Sequence, residues 1–267
     1  MRGRVVAITG GARGIGAAAA AKLVAAGARV AIGDLDVAGA PAGALALPLD
    51  VTDTGSYRRF LDEVAVRLGP IDVLVANAGV MWVGRYDEEP EAATRRQIAV
   101  NLEGVIRGFR LATPAMRARG RGQVVVVASA ASKLAPAGEA TYAATKHAVH
   151  GYCAAVREEL RGTGVAVSVL MPTVVATELA VGTSSGKVPV LSADRVADGI
   201  VALIRRRAPE LVIPARAGVA AAVLGVLPAR VRARLHRFVV PNQVTAARPD
   251  QRAEYQARAL DDPRRSP

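Results

Sequence analysis

Arg4-Val-Val-Ala-Ile-Thr-Gly-Gly-Ala-Arg-Gly-Ile-Gly16 carries a short β-branched run, a glycine turn and the first residues of a helix. A strand that feeds a helix through such a turn leaves helix N–H groups free and a partial positive charge facing outward, which suits an anion. Gly10, Gly14 and Gly16, with Arg13 and Ile15 between them, let the backbone approach a pyrophosphate closely. The spacing is Gly-x-x-x-Gly-x-Gly, not the Gly-x-Gly-x-x-Gly of many dinucleotide folds. The Gly-Lys-Ser/Thr of a P-loop is missing. A tight βα turn that holds no ligand is the competing reading.

Working outward, residues 17–26 continue the helix to Gly27, and residues 29–33 form a second strand closed by Asp34, which completes a βαβ unit. Strands are expected at 44–49, 72–76, 123–128, 165–171 and 211–213, and helices at 54–68, 141–161 and 193–206. Residues 91–119 read as a long helical stretch interrupted by Gly104 and Gly108, with Pro114 kinking its end. Four consecutive valines at 124–127 are what a parallel strand buried on both faces requires. Regular alternation of strand and helix predicts an α/β fold: a Rossmann-like doubly wound parallel sheet, a single domain with helices on both faces. Residues 1–215 are expected to form one unit, to which the glycine turn would bring a dinucleotide and catalysis, with 216–245 an apolar and basic extension packed on it and 246–267 a polar, flexible tail with a short helical piece.

Composition sets bounds. With 267 residues and 51% hydrophobic content, the chain can bury a full core, and only 3% is aromatic, so Ala, Val and Leu fill it. Cys153 is the single cysteine, so no internal disulfide can form; a small buried apolar residue fits it better than a reactive thiol. With no apolar leader before the first strand, a cytoplasmic protein is expected. No apolar run is long enough to span a membrane. The net charge is +12, and from Arg205 onward thirteen arginines stand against five carboxylates. No zinc-finger spacing or aromatic–basic motif accompanies them, so no nucleic-acid partner is expected. The Ala/Gly/Arg bias is also what a GC-rich genome produces.

The chemistry centres on Tyr142 and Lys146. Four residues apart on a helix, they share one face. A phenol with a pKa of about 10 is a poor base at neutral pH, and a fixed ammonium beside it favours the phenolate. Tyr-x-x-x-Lys alone is also common on surface helices, so a cofactor site and a polar partner are needed beside it. Asp34 lies about twenty residues past the glycine turn, where a carboxylate accepts ribose hydroxyls of NAD and repels the 2′-phosphate of NADP. Arg13 argues the other way, since a guanidinium can hold that phosphate; NAD is the preferred cofactor. Asp50 and Val51 close the third strand, where an adenine edge can be read or a helix can simply begin.

Taken in order, Thr9-Gly-Gly-Ala-Arg-Gly-Ile-Gly16, Asp50-Val51, Asn77-Ala78-Gly79, Asn101, Ser129 and Tyr142-x-x-x-Lys146 resemble the short-chain dehydrogenase/reductase family over roughly residues 4–207. The resemblance implies that Asn77, Ala78 and Gly79 support the sheet beside the cofactor, and that Ser129 orients the reacting oxygen. It further implies that Asn101 holds a water linking the lysine to solvent. Lys146 would bind the nicotinamide ribose and Tyr142 would carry the proton. After the sixth strand the family usually shows Pro-Gly-x-Val-x-Thr. Here Pro172 and Thr177 are in place, Thr177 for the carboxamide, and Thr173 replaces the glycine. No metal is implied. His147 turns away from Lys146 toward the face the family uses for subunit contacts, His150 has no assigned role, and His236 is expected in solvent.

The expected substrate is a small neutral, lipophilic alcohol or ketone, because no charged anchor is apparent and Met81, Trp82 and Val83 are apolar. Homodimers or homotetramers are expected. Residues 216–240 run from an apolar stretch into alternating cationic and apolar residues, which suits a cover for the pocket or a subunit contact better than a peripheral place on an anionic membrane. A non-catalytic dinucleotide sensor or scaffold is the alternative to an enzyme.

Overall fold

A computed structural model of the chain describes residues 1–186 and 188–260. Seven strands form one parallel sheet: β1 (Val5–Thr9), β2 (Arg29–Asp34), β3 (Leu45–Pro48), β4 (Val73–Ala76), β5 (Gly122–Val127), β6 (Val165–Pro172) and β7 (Glu210–Ile213). Their spatial order is β3-β2-β1-β4-β5-β6-β7, with the chain reversing direction of travel after β3. The register Thr9↔Gly33 and Thr9↔Ala76 brings the ends of β1, β2 and β4 level, so their loops open on one edge. This is the doubly wound sheet expected from the alternation of elements.

The helices follow from apolar spacing. Between β1 and β2 lies α1 (Gly14–Ala25); α2 (Thr54–Leu68) is capped by the Asp53 carboxylate on the Ser56 N–H and buries Tyr57, Phe60, Leu61 and Val64. After β4 come α3 (Glu91–Ile98) and α4 (Gly104–Ala118), then α5 (Ala140–Glu159) and α6 (Ala193–Arg206). The N-cap hydroxyl of Ser192 starts α6, and Arg207 ends it in the left-handed region, its guanidinium donating to Gly122 O at 3.0 Å and Gly164 O at 2.7 Å. Alternate strand residues face two cores. Val5, Ala7, Leu74 and Val124 pack with Tyr57, Phe109 and Met116 of α2 and α4, while Val6, Ile8, Val75 and Val125 pack with Leu23 and Ile200 of α1 and α6.

The structure corrects two expectations. The break in the long helix is a five-residue π-helical turn, Ala99–Glu103, not an interruption at Gly104 or Gly108, and α4 runs through Pro114 to Ala118. Arg110, whose carbonyl loses its partner at Pro114, is solvent-exposed, so water can replace the missing N–H. Nor is the stretch after 246 a flexible tail throughout. Beyond α7 (Ala215–Val226), α8 (Ala229–Val239) and the short α9 (Gln243–Ala246), α10 (Pro249–Leu260) packs on the molecule through buried Arg252, Tyr255 and Leu260. Those three, spaced i, i+3 and i+8, give α10 a stripe for docking. Residues 261–267 of the expected tail lie outside the described residues.

Candidate active site

Two cavities share the edge where the sheet opens. Thr9 closes β1, and its hydroxyl accepts the N–H groups of Asn77 and Ala78, each at 3.1 Å. Asn77 Nδ2 returns the tie, donating to Thr9 O at 3.1 Å and Gly10 O at 2.8 Å. A Cβ on Gly16 would lie 2.0 Å from Gly10 O, and one on Gly10 would lie 2.8 Å from the Ala78 Cα, so both turns close only with glycine there. The first turn of α1 carries no acidic residue, and its N-cap, Arg13, makes no side-chain cap. Its N–H groups therefore face a cleft of about 650 Å³ that Gly10, Gly14, Asp34, Val51 and Gly79 line. The cleft and the donor set fit a dinucleotide.

Around this cleft Asp34 Oδ2 accepts the Ala12 N–H at 3.0 Å, which pins the carboxylate on the rim of the glycine turn. Arg13 is engaged by Asp36 at 3.7 Å and Glu178 at 3.4 Å. Asp50 lines the cleft and also serves as an ordinary turn residue, its Oδ1 accepting Thr52 N at 2.8 Å and Thr52 Oγ1 at 2.7 Å.

The second cavity, about 430 Å³, shares Ile15, Asn77, Gly79, Thr177 and Leu179 with the first. On one wall, α5 turns Tyr142 and Lys146 inward along the buried stripe that continues through Val149 and Cys153. Ser129, at the end of β5, hydrogen-bonds Tyr142 and accepts Ala131 N at 3.1 Å. Lys146 Nζ lies 5.5 Å from the centre of the Tyr142 ring and donates to Val127 O at 3.3 Å. Pro172, Thr173 and Thr177 close the far side. Asn101, wholly buried in the π-turn, accepts Val80 N and donates to Val80 O, both at 2.8 Å, and reaches Thr145 Oγ1 at 3.3 Å. Its side chain thus fixes the loop that follows Gly79.

One expectation about this pair reverses. Lys146 does not lower the phenol in the chain alone: burial pushes Tyr142 well above the ordinary tyrosine value, with the nearby Glu139 carboxylate adding to the rise and the hydrogen bond with Ser129 opposing it. Burial also drives Lys146 down to about 8. The ammonium sits over the ring and pays its own desolvation, so it gives the hydroxyl little help. Glu139, itself buried at 7% exposure, is raised to about 7 by the same loss of water, with Arg252 pulling the other way.

The far end of the chain completes both cavities. Arg216, Ala217 and Ala220 of α7 line the second cavity, as do Val240, Pro241 and Gln243. Gln243 is buried and clasps Ser184, accepting its N–H at 2.9 Å and donating to its carbonyl at 2.7 Å. Arg252, 1% exposed, donates to Leu179 O at 3.1 Å, Val181 O at 2.7 Å and Met81 O at 2.9 Å. Tyr255 accepts Met81 N at 3.2 Å, and Arg258 reaches Glu178 across the first cavity. Glu139, Gln243, Arg252 and Tyr255 were not among the residues the sequence singles out. Glu139, three residues before Tyr142, carried a local signal in its place on the catalytic helix; Arg252 is one arginine in an arginine-rich stretch and carried none. Of the expected apolar trio only Met81 lines the cavity; Trp82 folds over Gly84 and Val83 packs inward. His147 Nδ1 meets Ala143 O at 2.9 Å, and His150 Nε2 meets Glu210 Oε1 at 2.9 Å, so neither enters the site. His236 is partly buried rather than fully in solvent, which lowers its pKa. Cys153 is buried and raised to about 12, a packed thiol. Among the described residues no group of three or more His, Cys, Asp or Glu is placed to hold a metal ion.

Comparison with known proteins agrees with this geometry. The family model described as short chain dehydrogenase matches residues 4–187. The 2,5-dichloro-2,5-cyclohexadiene-1,4-diol dehydrogenase LinX of Sphingobium indicum is 32% identical over 182 residues, 64% of this chain and 73% of that protein. The 3-alpha-(or 20-beta)-hydroxysteroid dehydrogenase of Mycobacterium tuberculosis is 34% identical over 184 residues, 66% of this chain and 71% of its own length. D-threitol dehydrogenase of Mycolicibacterium smegmatis is 36% identical over 187 residues, 66% and 72% of the two chains. A short chain dehydrogenase/reductase from Burkholderia phymatum, solved in complex with NAD, shares the fold at a TM-score of 0.76 and 23% identity, covering 88% of this chain and 96% of its own. The chain belongs to the short-chain dehydrogenase/reductase family, oxidoreductases that act on CH–OH groups with NAD(P).

Proposed function

We propose that the chain interconverts a neutral, lipophilic secondary alcohol and its ketone, with Tyr142 as the proton carrier and NAD preferred over NADP. The observation that carries this reading is the shared wall: Ser129, Tyr142 and Lys146 line a largely apolar cavity that shares Gly79 and Thr177 with the glycine-turn cleft. The bound nicotinamide supplies the hydride acceptor or donor. Gly10, Gly14, Ile15 and Gly16 would hold its pyrophosphate, Asp34 a ribose, Asp50 and Val51 the adenine side. Asn77, Ala78, Gly79, Lys146, Pro172 and Thr177 would frame the nicotinamide end.

The chain's own residues move the proton. In the oxidative direction the Tyr142 oxygen takes the alcohol proton while the Ser129 hydroxyl holds the reacting oxygen; in reduction the phenol gives it back. Because burial opposes the phenolate, its formation depends on what stands near it. The Ser129 hydroxyl favours it, and a charged Glu139 opposes it. Asn101 positions Val80 and, through Thr145, the turn of α5 that carries Lys146. The cavity's apolar lining, from Leu134, Val174, Val188, Ala217 and Ala220, supports a lipophilic substrate.

Asp34 supports NAD. Its carboxylate is fixed at the end of β2 where a 2′-phosphate would meet it, and Arg13, the residue able to compensate, is held between Asp36 and Glu178. Titration with NADH and NADPH tests this, and tighter binding of NADPH overturns it. A screen of lipophilic alcohols with the wild type and Tyr142→Phe tests the chemistry: equal turnover by both removes Tyr142 from the reaction and leaves the sensor or scaffold reading standing.

A further inference from the structure

We infer that α7 and α8 form a docking surface for an anionic membrane, laid against the wall of the second cavity. The two helices follow one another through Leu227 and Pro228 and touch. Each leaves an apolar stripe at i, i+4 and i+7 on the molecular surface. On α7 it is Val219, Val223 and Val226, exposed by 65%, 52% and 84%; on α8 it is Val231, Leu235 and Phe238, exposed by 46%, 40% and 75%. Single exposed apolar residues need no partner, but two periodic stripes on consecutive helices do.

Charge identifies the partner. At about 100° per residue, Arg230, Arg234 and Arg237 fall along one flank of the α8 stripe and Arg232 along the other. All four are exposed, and among the described residues none pairs with a carboxylate. The sequence holds no Asp or Glu between Glu210 and Asp250. A helix with an apolar stripe between arginine flanks matches the boundary of acyl chains and acidic headgroups. A second copy of the chain fits poorly, since a two-fold contact would set this all-positive surface against itself. No helix among the described residues is long and apolar enough to cross a membrane, so contact here lies in the plane of the surface.

The position gives the contact a use. Arg216, Ala217 and Ala220 of α7 line the second cavity, while its neighbouring face carries the exposed valines. Docking would hold the cavity about one helix diameter, roughly 10 Å, from the lipid, near the source of an apolar alcohol or ketone. That consequence rests on the proposed reading of the cavity. Docking itself does not, and it is measured without turnover.

The experiment is sedimentation of the full chain with vesicles of equal parts phosphatidylcholine and phosphatidylglycerol, or of phosphatidylcholine alone, at low and high potassium chloride. The expected result is binding to the acidic vesicles, about tenfold or more above that to the neutral ones, weakening with salt. Leu235→Asp with Phe238→Asp should lower binding by about tenfold or more while cofactor affinity stays unchanged. Three results overturn the proposal. One is no binding to acidic vesicles at low salt. Another is binding that survives the double substitution undiminished, which is plain adsorption of a basic protein. The third is a double variant whose light-scattering mass drops to that of a smaller assembly while vesicles bind neither form, which assigns the stripes to a second copy.

Discussion

The two ends of the chain build opposite walls of the same site in different ways. The N-terminal wall is made of backbone and very small residues: Gly10, Gly16 and the turn after β4 meet so closely that a single Cβ would collide. The C-terminal wall is made of long side chains reaching over distance, Arg252 to three carbonyls and Gln243 around Ser184. A wall of backbone is stiff and shaped to one ligand; a wall of side chains can be exchanged without disturbing the sheet. The difference lets the side-chain wall vary while the backbone wall keeps its shape. The family match itself ends at residue 187, before α7 begins.

That contrast can be broken. The largest effect is expected in the second cavity, where the two walls meet: Tyr142→Phe should lower kcat/KM by about a thousandfold or more with the melting temperature nearly unchanged, as steady-state kinetics and calorimetry would show. Next is Arg252→Met. It strips donors from the carbonyls of Met81, Leu179 and Val181 and should cost about 3 kcal/mol in urea unfolding. If the C-terminal wall is instead loosely attached, limited proteolysis will remove α10 while the unfolding midpoint stays put.

A third test turns on sign. Glu139 is raised to about 7 in the fold from 4.5, so the native state binds the extra proton between those values; stability is full below 4.5 and falls as pH rises to 7. Lys146 is lowered to about 8 from 10.5, so the unfolded chain binds the extra proton there and stability rises again from 8 to 10.5. Glu139→Gln should abolish the first slope and add about 2–3 kcal/mol at pH 8. An unchanged pH profile would mean that Glu139 ionises normally. The smallest effect belongs to Asp34→Ser, which should shift the ratio of NADH to NADPH affinity by about tenfold toward NADPH, read by fluorescence titration.

Much of the N-terminal wall was legible in the chain because its causes are local. Strand alternation, the spacing of Tyr57, Phe60 and Val64, and the Gly69 that ends α2 each lie within a few residues of what they determine. The Tyr142–Lys146 spacing needed only a helix. Arg252 could not be found this way, since its carbonyl partners are 71 to 171 residues distant and it resembles every other arginine near it. The rise in the Tyr142 pKa was hidden for a related reason. Spacing shows which charge is near a phenol, but not how little water the folded chain leaves around both.

The π-turn at Ala99–Glu103 has a consequence for how this chain tolerates change. It packs one residue more into its turn than the helices on either side would, so it acts as a phase shift between α3 and α4. Removing a single residue there would let the two helices fuse into one regular rod. The faces on either side would keep nearly their present orientation, because the π-turn sweeps about the same angle with one residue more than an α turn uses. Phe109 and Met116 would stay in the core while Asn101, inside the turn, lost its place against Val80, so a one-residue deletion at this point should disturb the site more than the fold.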